Sequence, residues 1–340
     1  MNGSALQSGG ELRIRVRDAA DRERALKASR DFGFRLGFGE RPVEEIALVV
    51  SELASNAVKY AAGEGSIALR ALEGAGERGL EIAYDAPGNP PPRNGNGRPS
   101  LGIGLDVIRN HVDEFEFAGG GEEGVRLRAR KFLPDGEPPM CLADVSAVTF
   151  PAEGQIVNGD GFFVDRTGRR VLIAVFDGLG HGPGAYEVAA LLRKTFAGCP
   201  GWDIETLLHR SQKALEGTRG AAVAAWRLDL GDGTGIYAGI GNVETRWMGA
   251  GPKVSFVPVP GILGRPGQRI RTGPFRIEPP GTLVMVSDGV PQRALVPRPE
   301  DPEEADIARR AWRLVHEAGR SYDDKTAVVV RIRRNPARLG

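Results

Sequence analysis

The sequence predicts an α+β protein built from two layered domains. The chain has 340 residues, more than one hydrophobic core of ordinary size contains. Its first half mixes helical and strand patterns as an α/β sandwich would, with helices against one sheet. Beyond Val145 strand patterns dominate and the helices are grouped, which favours a second layered sandwich over a doubly wound fold.

The first domain is expected over residues 10–133 and opens with ELRIRVRD, whose alternation is typical of a strand with one buried face. Helices are expected from Asp21 to Gly37 and from Val43 to Ala62, the second closed by Gly63 in a left-handed conformation. The strands SIALRAL and GLEIAYD follow, and then the aperiodic loop PGNPPPRNGNGRPS. A helix in LGIGLDVIRNHV and strands in EFEFA and GVRLRARKF complete the domain.

Residues 134–144 are rich in proline and are expected to form a linker. The second domain, residues 145–334, contains the strand patterns VSAVTF, VLIAVFD, AAVAAWRLDL, GIYAGIG, TLVMVSD and TAVVVRIRR. Helices are expected in GAYEVAALLRKTF, IETLLHRSQKAL and EEADIARRAWRLVHEAG.

Composition restricts the classes of partner. With 45 Lys and Arg against 44 Asp and Glu, the net charge of +1 gives no electrostatic footprint for nucleic acid or an anionic membrane. Cys141 and Cys199 lack a metal-ligand spacing, which argues against a disulfide framework or a zinc ribbon. No apolar stretch reaches the ~18–20 residues of a spanning helix, and the start lacks a signal peptide's core. We expect a cytoplasmic protein whose partners are proteins or small molecules.

The stretch VVSELASNAVKYAAG places Glu52 and Asn56 on adjacent turns of the second helix, away from its buried stripe. Taken alone, this arrangement also describes an ordinary solvated face. Asp85, however, ends a strand ahead of the long loop, and Gly102 and Gly104 begin the next helix. Glycines at a helix start let backbone N–H groups approach phosphates. The order of these features indicates a nucleotide site.

These residues resemble the GHKL (Bergerat-type) ATPase superfamily, within it the anti-sigma-factor serine kinases of the RsbT and RsbW type. The resemblance covers residues 10–132 and is most specific in ELASNAVKYA and LGIGLDVIRNHVDEFEF. It implies that Glu52 orients or activates the attacking hydroxyl and that Asn56 ligates the Mg²⁺ of ATP. It also implies that Asp85 accepts a hydrogen bond from the adenine amine. The nucleotide-binding set that it implies comprises Asn56, Asp85, Gly88, Gly102, Gly104 and Leu105.

One departure from the GHKL pattern leaves alternatives open. Pro87 stands where the family has the first glycine after the adenine-binding aspartate, and proline fixes φ and lacks an N–H. The domain could therefore transfer phosphate, sense nucleotide without transfer, or serve as a module that binds a sigma factor or STAS protein.

Aspartates recur at strand ends in the second half: NGDGFF, FDGLGHG, SDGV and DDKT. Each Asp-Gly alone is typical of a turn. Several carboxylates that converge would repel one another and call for cations, and their hard oxygens suit Mg²⁺ or Mn²⁺. The candidates are Asp160, Asp177, Asp288 and Asp323, with Asp324 as the alternative within DDKT.

These motifs, with YAGIGNV and GILG, resemble the PPM family of metal-dependent protein phosphatases, in its bacterial SpoIIE and RsbX branch, over residues 145–333. The resemblance implies an αββα sandwich and two ions that activate a bridging water. It implies that Asp177 bridges both ions, that the Gly178 carbonyl completes one shell, and that the other aspartates supply the rest. His181 could be a general acid or a structural turn residue. Cys199 and Trp226 are expected in the core.

Together the resemblances imply a bifunctional switch protein acting on a phosphorylated STAS-domain regulator, of the anti-anti-sigma or stressosome type. A sigma factor is a second candidate partner, and a homodimer is open. A scaffold without catalysis is the remaining alternative, and it requires the aspartates to be turn residues only.

Overall fold

A computed structural model describes residues 6–8, 11–61, 64–74, 77–87, 102–119, 124–133, 140–167, 169–199, 203–249, 251, 254–296 and 306–335. The chain divides into two compact units, Met1–Pro138 and Pro139–Gly340. Both mix helices with antiparallel sheets, so the predicted α+β class is confirmed. In the described part of the chain, no helix combines the length and hydrophobicity needed to cross a membrane.

The first unit is a sheet with helices packed against it. Its antiparallel strands lie in the order β1-β2-β3-β4-β6-β5. The strands are β1 (Leu6–Ser8), β2 (Glu11–Val16), β3 (Gly65–Gly74), β4 (Glu77–Ala86), β5 (Glu114–Gly119) and β6 (Val125–Phe132). The helices are α1 (Ala19–Leu36), α2 (Glu40–Tyr60) and α3 (Gly102–Asn110).

Capping explains the ends of α1 and α2. Asp18 accepts the N–H of Asp21 at the start of α1, and Gly37, with φ 95°, closes it. α2 ends at Tyr60 with Ala61, φ −101°, as its C-cap, so it stops before the expected Ala62. The expected cap Gly63 lies outside the described residues. The predicted apolar stripe of α2 is confirmed where it is described, since these side chains are buried: Ile46, Val49, Val50, Leu53 and Ala57.

The second unit contains two antiparallel sheets, in the orders β7-β15-β14-β12 and β13-β11-β10-β9-β8. Its strands are β7 (Cys141–Phe150), β8 (Asp160–Thr167), β9 (Arg170–Gly178), β10 (Ala221–Asp229), β11 (Thr234–Ile240), β12 (Glu244–Gly249), β13 (Gly273–Arg276), β14 (Gly281–Val286) and β15 (Lys325–Arg334). Its helices are α4 (Pro183–Ala197), α5 (Ile204–Ala214), α6 (Ile307–His316) and a short 3-10 helix (Gln292–Leu295).

Helices cover the outer face of each sheet in this unit. α4 and α5 pack on β8–β11 through a core that includes Leu192 and Leu207 against Phe176. α6 packs on β7 and β15 through Leu314 and Val315. The result is the expected αββα sandwich. Successive side chains of a strand point to opposite faces of its sheet, and in this unit both faces are buried.

The first strand of this unit starts earlier than the sequence pattern indicated. β7 begins at Cys141 rather than Val145, and Cys141 donates its N–H to the carbonyl of Leu230 over 2.9 Å. Residues 141–149 are all buried. The last four residues of the predicted linker therefore belong to a buried strand, although the prolines before them are typical of a linker.

Candidate functional sites

Asp160 and Asp177 face each other across two neighbouring strands of the second unit. They are Cα partners in the antiparallel pair β8–β9, where Asp160 is the first residue of β8 and Asp177 the second-last of β9. Opposed residues of an antiparallel pair direct their side chains to the same face. Both carboxylates therefore lie on one side of one sheet edge.

Asp288 and Asp323 come to these carboxylates from the other sheet. β14 ends at Val286 and β15 begins at Lys325, and because the two strands are antiparallel their flanking loops lie at one edge. Asp177 and Asp288 share a hydrogen bond between their carboxyl groups. The structure thus brings together four of the sequence-predicted aspartates.

Asp324, the alternative to Asp323, is buried and its carboxylate is already used. Its Oδ1 accepts the N–H of Ala152 and its Oδ2 that of Gly159, both over 2.8 Å. Asp323 is half-exposed and its oxygens are within electrostatic reach of Asp288. Asp323 gives one oxygen to backbone, since its Oδ1 accepts the N–H of Asp324 over 3.0 Å, whereas Asp324 gives both of its oxygens.

Burial and the repulsion between like charges raise pKa values of carboxyl groups within the cluster. Burial, together with the charges of Asp288 and Asp323, raises the pKa of Asp177 to about 8. Burial is also the first cause of the raised pKa of Asp160, and the charge of Asp177 is the second. The pKa of Asp323 is raised by burial and then by Asp288. The carboxylates cannot all stay ionised here without a cation.

The donor set fits hard divalent ions. Oδ2 of Asp160 is buried and has no hydrogen-bond partner among the described residues, an arrangement that is costly for a carboxylate unless a cation lies beside it. Within the described residues, no three Asp, Glu, His or Cys side chains are grouped as ligands of one bound ion would be. Binding would require Asp177 and Asp288 to exchange their mutual hydrogen bond for the ion. Oxygen donors of this kind suit Mg²⁺ or Mn²⁺.

Two polar side chains hold the aspartates in place. Both belong to the sequence motifs, but neither is among the predicted site residues. Ser287 hydrogen-bonds Asp160 and accepts the N–H of Thr326 over 2.9 Å. Asn242, in the turn after β11, donates Nδ2 to Oδ2 of Asp288 over 2.7 Å. The sequence indicated their role only through position, since Ser287 precedes Asp288 and Asn242 ends the motif GIGN.

The glycine loop after β9 contains two more predicted residues. Gly178 is buried and donates its N–H to the carbonyl of Gly159 over 3.1 Å. A Cβ added to Gly178 would lie 2.7 Å from the carbonyl oxygen of Ala185 and 2.8 Å from that of Gly159, so no side chain fits there. His181 is exposed in the same loop. Cys199 and Trp226 are buried, as expected of core residues.

In the first unit, Glu52 and Asn56 lie one turn apart on α2, and both are half-buried. α2 packs against α3, which begins at Gly102 and includes Gly104 in its first turn. Leu105 is buried in that helix, and Gly88 lies outside the described residues.

Asp85 is placed apart from this pair. Tyr84 lies on the sheet face covered by α2, because a Cβ added to Gly65 would be 3.3 Å from its ring and 2.7 Å from Cβ of Ala57. Side chains alternate along a strand, so Asp85 points to the opposite face. There it forms an ion pair with Arg128 over 3.0 Å. The structure therefore does not bring Asp85 to α2.

Comparison with known proteins finds a match for each of the two units. The histidine kinase-like ATPase domain family matches residues 16–131, and the Stage II sporulation protein E (SpoIIE) family matches residues 167–333. The serine/threonine-protein kinase RsbT of Bacillus subtilis (strain 168) is 31% identical over 127 residues, which are 35% of this chain and 95% of RsbT. The phosphoserine phosphatase RsbX of the same organism is 28% identical over 141 residues, 41% of this chain and 70% of RsbX.

A crystal structure of RsbX in complex with magnesium is 23% identical and covers 58% of this chain and 98% of its own, with a TM-score of 0.49. The matches define a fusion of a histidine kinase-like ATPase domain with a domain similar to SpoIIE and to the phosphatase RsbX. The chain belongs to the histidine kinase-like ATPase family of RsbT in its N-terminal part, and its C-terminal part is SpoIIE- and RsbX-like.

Proposed function

We propose that the C-terminal unit hydrolyses phosphoserine or phosphothreonine on a STAS-domain regulator, and that the N-terminal unit binds ATP with Mg²⁺ and phosphorylates such a protein. The observation that carries the first half is the convergence of four carboxylates from two sheets, with Oδ2 of Asp160 buried and without a hydrogen-bond partner in the described part of the chain. The similarity to the phosphoserine phosphatase RsbX supports the substrate class.

In this proposal Asp177, Asp160, Asp288 and Asp323, with the Gly178 carbonyl, hold two Mn²⁺ or Mg²⁺ ions. Bound ions of this kind lower the pKa of a water and neutralise phosphate oxygens. The protein fixes the ligands: Ser287 orients Asp160 from one side of the cluster. Asn242 orients Asp288 in the same way. Water then adds to phosphorus as the bond to the serine oxygen breaks, and that oxygen takes up a proton.

The N-terminal proposal rests on the polar pair of α2. Glu52 and Asn56 are one turn apart on a helix that packs against the glycine-rich start of α3, an arrangement suited to a metal–phosphate group. Glu52 would activate the hydroxyl of the protein substrate and Asn56 would bind the Mg²⁺ of ATP. The similarity to the kinase RsbT supports this assignment.

A specific observation favours a second candidate for this unit. Asp85 faces away from α2 and is paired with Arg128, so an adenine beside α2 would lack its acceptor. Pro87 moreover stands where the family has the first glycine after the adenine-binding aspartate. The alternative is a regulatory module that senses nucleotide, or captures a sigma factor or STAS protein, without transferring phosphate.

Incubation with a phosphorylated STAS protein tests both halves. We expect loss of its phosphate with Mn²⁺ alone, no loss with EDTA, and no loss with Asp177→Asn. Addition of ATP should return phosphate through the wild type and not through Asn56→Ala. Capture of the partner without ATP, unchanged in Glu52→Ala and without phosphate transfer, would favour the regulatory module.

A further inference from the structure

An arginine lies beside the loop that follows β9. β10 pairs with β9 so that Ala221 is opposite Gly178, and Leu179 donates its N–H to the carbonyl of Gly220 over 3.0 Å. The residue before Gly220 is Arg219. Strand pairing therefore places the backbone of Arg219 near the end of β9 that carries Asp177. Asp177 is the shared ligand of the proposed metal site.

The side chain of Arg219 occupies space that two glycines leave open. A Cβ added to Gly184 would lie 2.8 Å from Nε, 2.9 Å from Cζ and 3.1 Å from Nη2 of Arg219. A Cβ added to Gly180 would lie 3.2 Å from Nη1. The guanidinium thus rests on the bare backbone of Gly180 and Gly184, in the segment that follows Gly178.

The charge of this guanidinium is not paired with an acidic side chain in the described ranges. Its side chain takes part in no hydrogen bond or ion pair found among the described residues, and it is exposed. It also lies over the first turn of α4, where the helix dipole is unfavourable to a cation. An anion beside it would offset that repulsion.

We propose that Arg219 binds the phosphate group of the substrate at the carboxylate cluster. The inference rests on the proposed phosphatase function. A planar guanidinium can donate two parallel N–H bonds to two phosphate oxygens, which positions a phosphoryl group as well as attracting it. With the carboxylates neutralised by bound cations, Arg219 supplies the remaining positive charge for a dianionic phosphomonoester.

Titration with inorganic phosphate tests this directly, because phosphate binding does not require turnover. Calorimetry is carried out on the Mg²⁺-loaded full chain, and hydrolysis of p-nitrophenyl phosphate is measured in parallel. We expect Arg219→Ala to weaken phosphate affinity and to raise KM by about 10- to 100-fold, as for loss of charge-assisted hydrogen bonds. Arg219→Lys should recover part of the affinity, since it keeps the charge without the fork.

Arg170→Ala is the matched control, because Arg170 is an exposed arginine at the opposite end of β9. Wild-type affinity in the control with loss in Arg219→Ala supports the inference. Equal phosphate affinity in wild type and Arg219→Ala overturns it. Phosphate binding that depends on Arg219 in a protein that hydrolyses nothing would overturn the phosphatase function and uphold the inference. A wild type that neither binds phosphate nor hydrolyses esters would overturn both.

Discussion

Asp324 accepts the backbone N–H of Gly159 at Oδ2 over 2.8 Å, and thereby ties the residue before β15 to the residue before Asp160. Its other oxygen accepts the N–H of Ala152. Asp324 is thus a clamp between two loops of the cluster. Asp323, one position earlier, accepts the N–H of Asp324 at Oδ1 and lies within electrostatic reach of Asp288.

Asp324→Asn should destabilise the protein, because the amide places an N–H₂ against one of two backbone donors. We expect the free energy of unfolding to fall by about 2–4 kcal/mol, measured by urea denaturation. Asp323→Asn, the matched neighbour, should change it by less than about 0.5 kcal/mol and instead reduce the thermal shift caused by Mn²⁺. If Asp324→Asn instead reduced the thermal shift and Asp323→Asn lowered the stability, Asp324 would be the ligand.

The stability of the metal-free protein should fall as pH rises. The pKa of Asp177 is raised from 3.8 to about 8 in the folded state, so the folded protein binds more protons than the unfolded chain between these values. Its stabilising effect is fully present below about pH 4 and is lost as pH approaches 8. Urea denaturation in EDTA at several pH values measures this slope.

Asp177→Asn should remove much of that slope while abolishing hydrolysis. At pH 8 without metal, we expect the variant to be more stable than the wild type by about 1–2 kcal/mol, since one repelled charge is gone. Addition of Mn²⁺ should stabilise only the wild type. A variant less stable than the wild type at pH 8 would contradict the electrostatic account.

Asn242→Ala should weaken metal binding without unfolding the protein. Asp288 then loses the Nδ2 donor that orients it from the turn after β11. We expect the Mn²⁺ concentration for half-maximal thermal shift to rise about 3- to 10-fold, in line with the loss of an outer-shell partner. Gln292→Ala, which removes a contact to Glu244 on the surface, is the control. An unchanged Mn²⁺ requirement would show that Asp288 needs no such support.

Glu52→Gln should separate nucleotide binding from phosphate transfer. The amide keeps the size of the side chain but cannot act as a base, so we expect ATP affinity within about twofold of the wild type and transfer reduced at least 100-fold. Single-turnover transfer from labelled ATP to a STAS protein measures the rate. Full transfer by the variant would show that a group other than Glu52 activates the hydroxyl.

Gly184→Ala should displace Arg219 without harming the fold, because the added methyl meets only the flexible end of that side chain. Alanine in the first turn of α4 should leave stability equal or slightly higher. Phosphate affinity should decrease by about 3-fold or more, by calorimetry. Unchanged affinity would mean that the guanidinium binds phosphate from a different position.

Hydrophobic pattern was sufficient to place the aspartates at strand ends, because buried strands give continuous apolar runs and their ends are sharply marked. It could not assign the face of Asp85, since β4 is apolar on both faces around Ile82 and Ala83. Nor could it separate Asp323 from Asp324, whose roles depend on backbone amides far away in the chain. The Asn242–Asp288 contact spans 46 positions and leaves no local signature.

The pairing of β8 with β9 runs without interruption from Thr167↔Arg170 to Asp160↔Asp177. The acidic pair is thus aligned by a connection at the far end of the hairpin, where no chemistry takes place. A slip of one position would set a glycine opposite Asp177 and rotate its former partner to the other side of the sheet. Length changes in that remote connection are therefore expected to silence the enzyme as effectively as loss of a ligand.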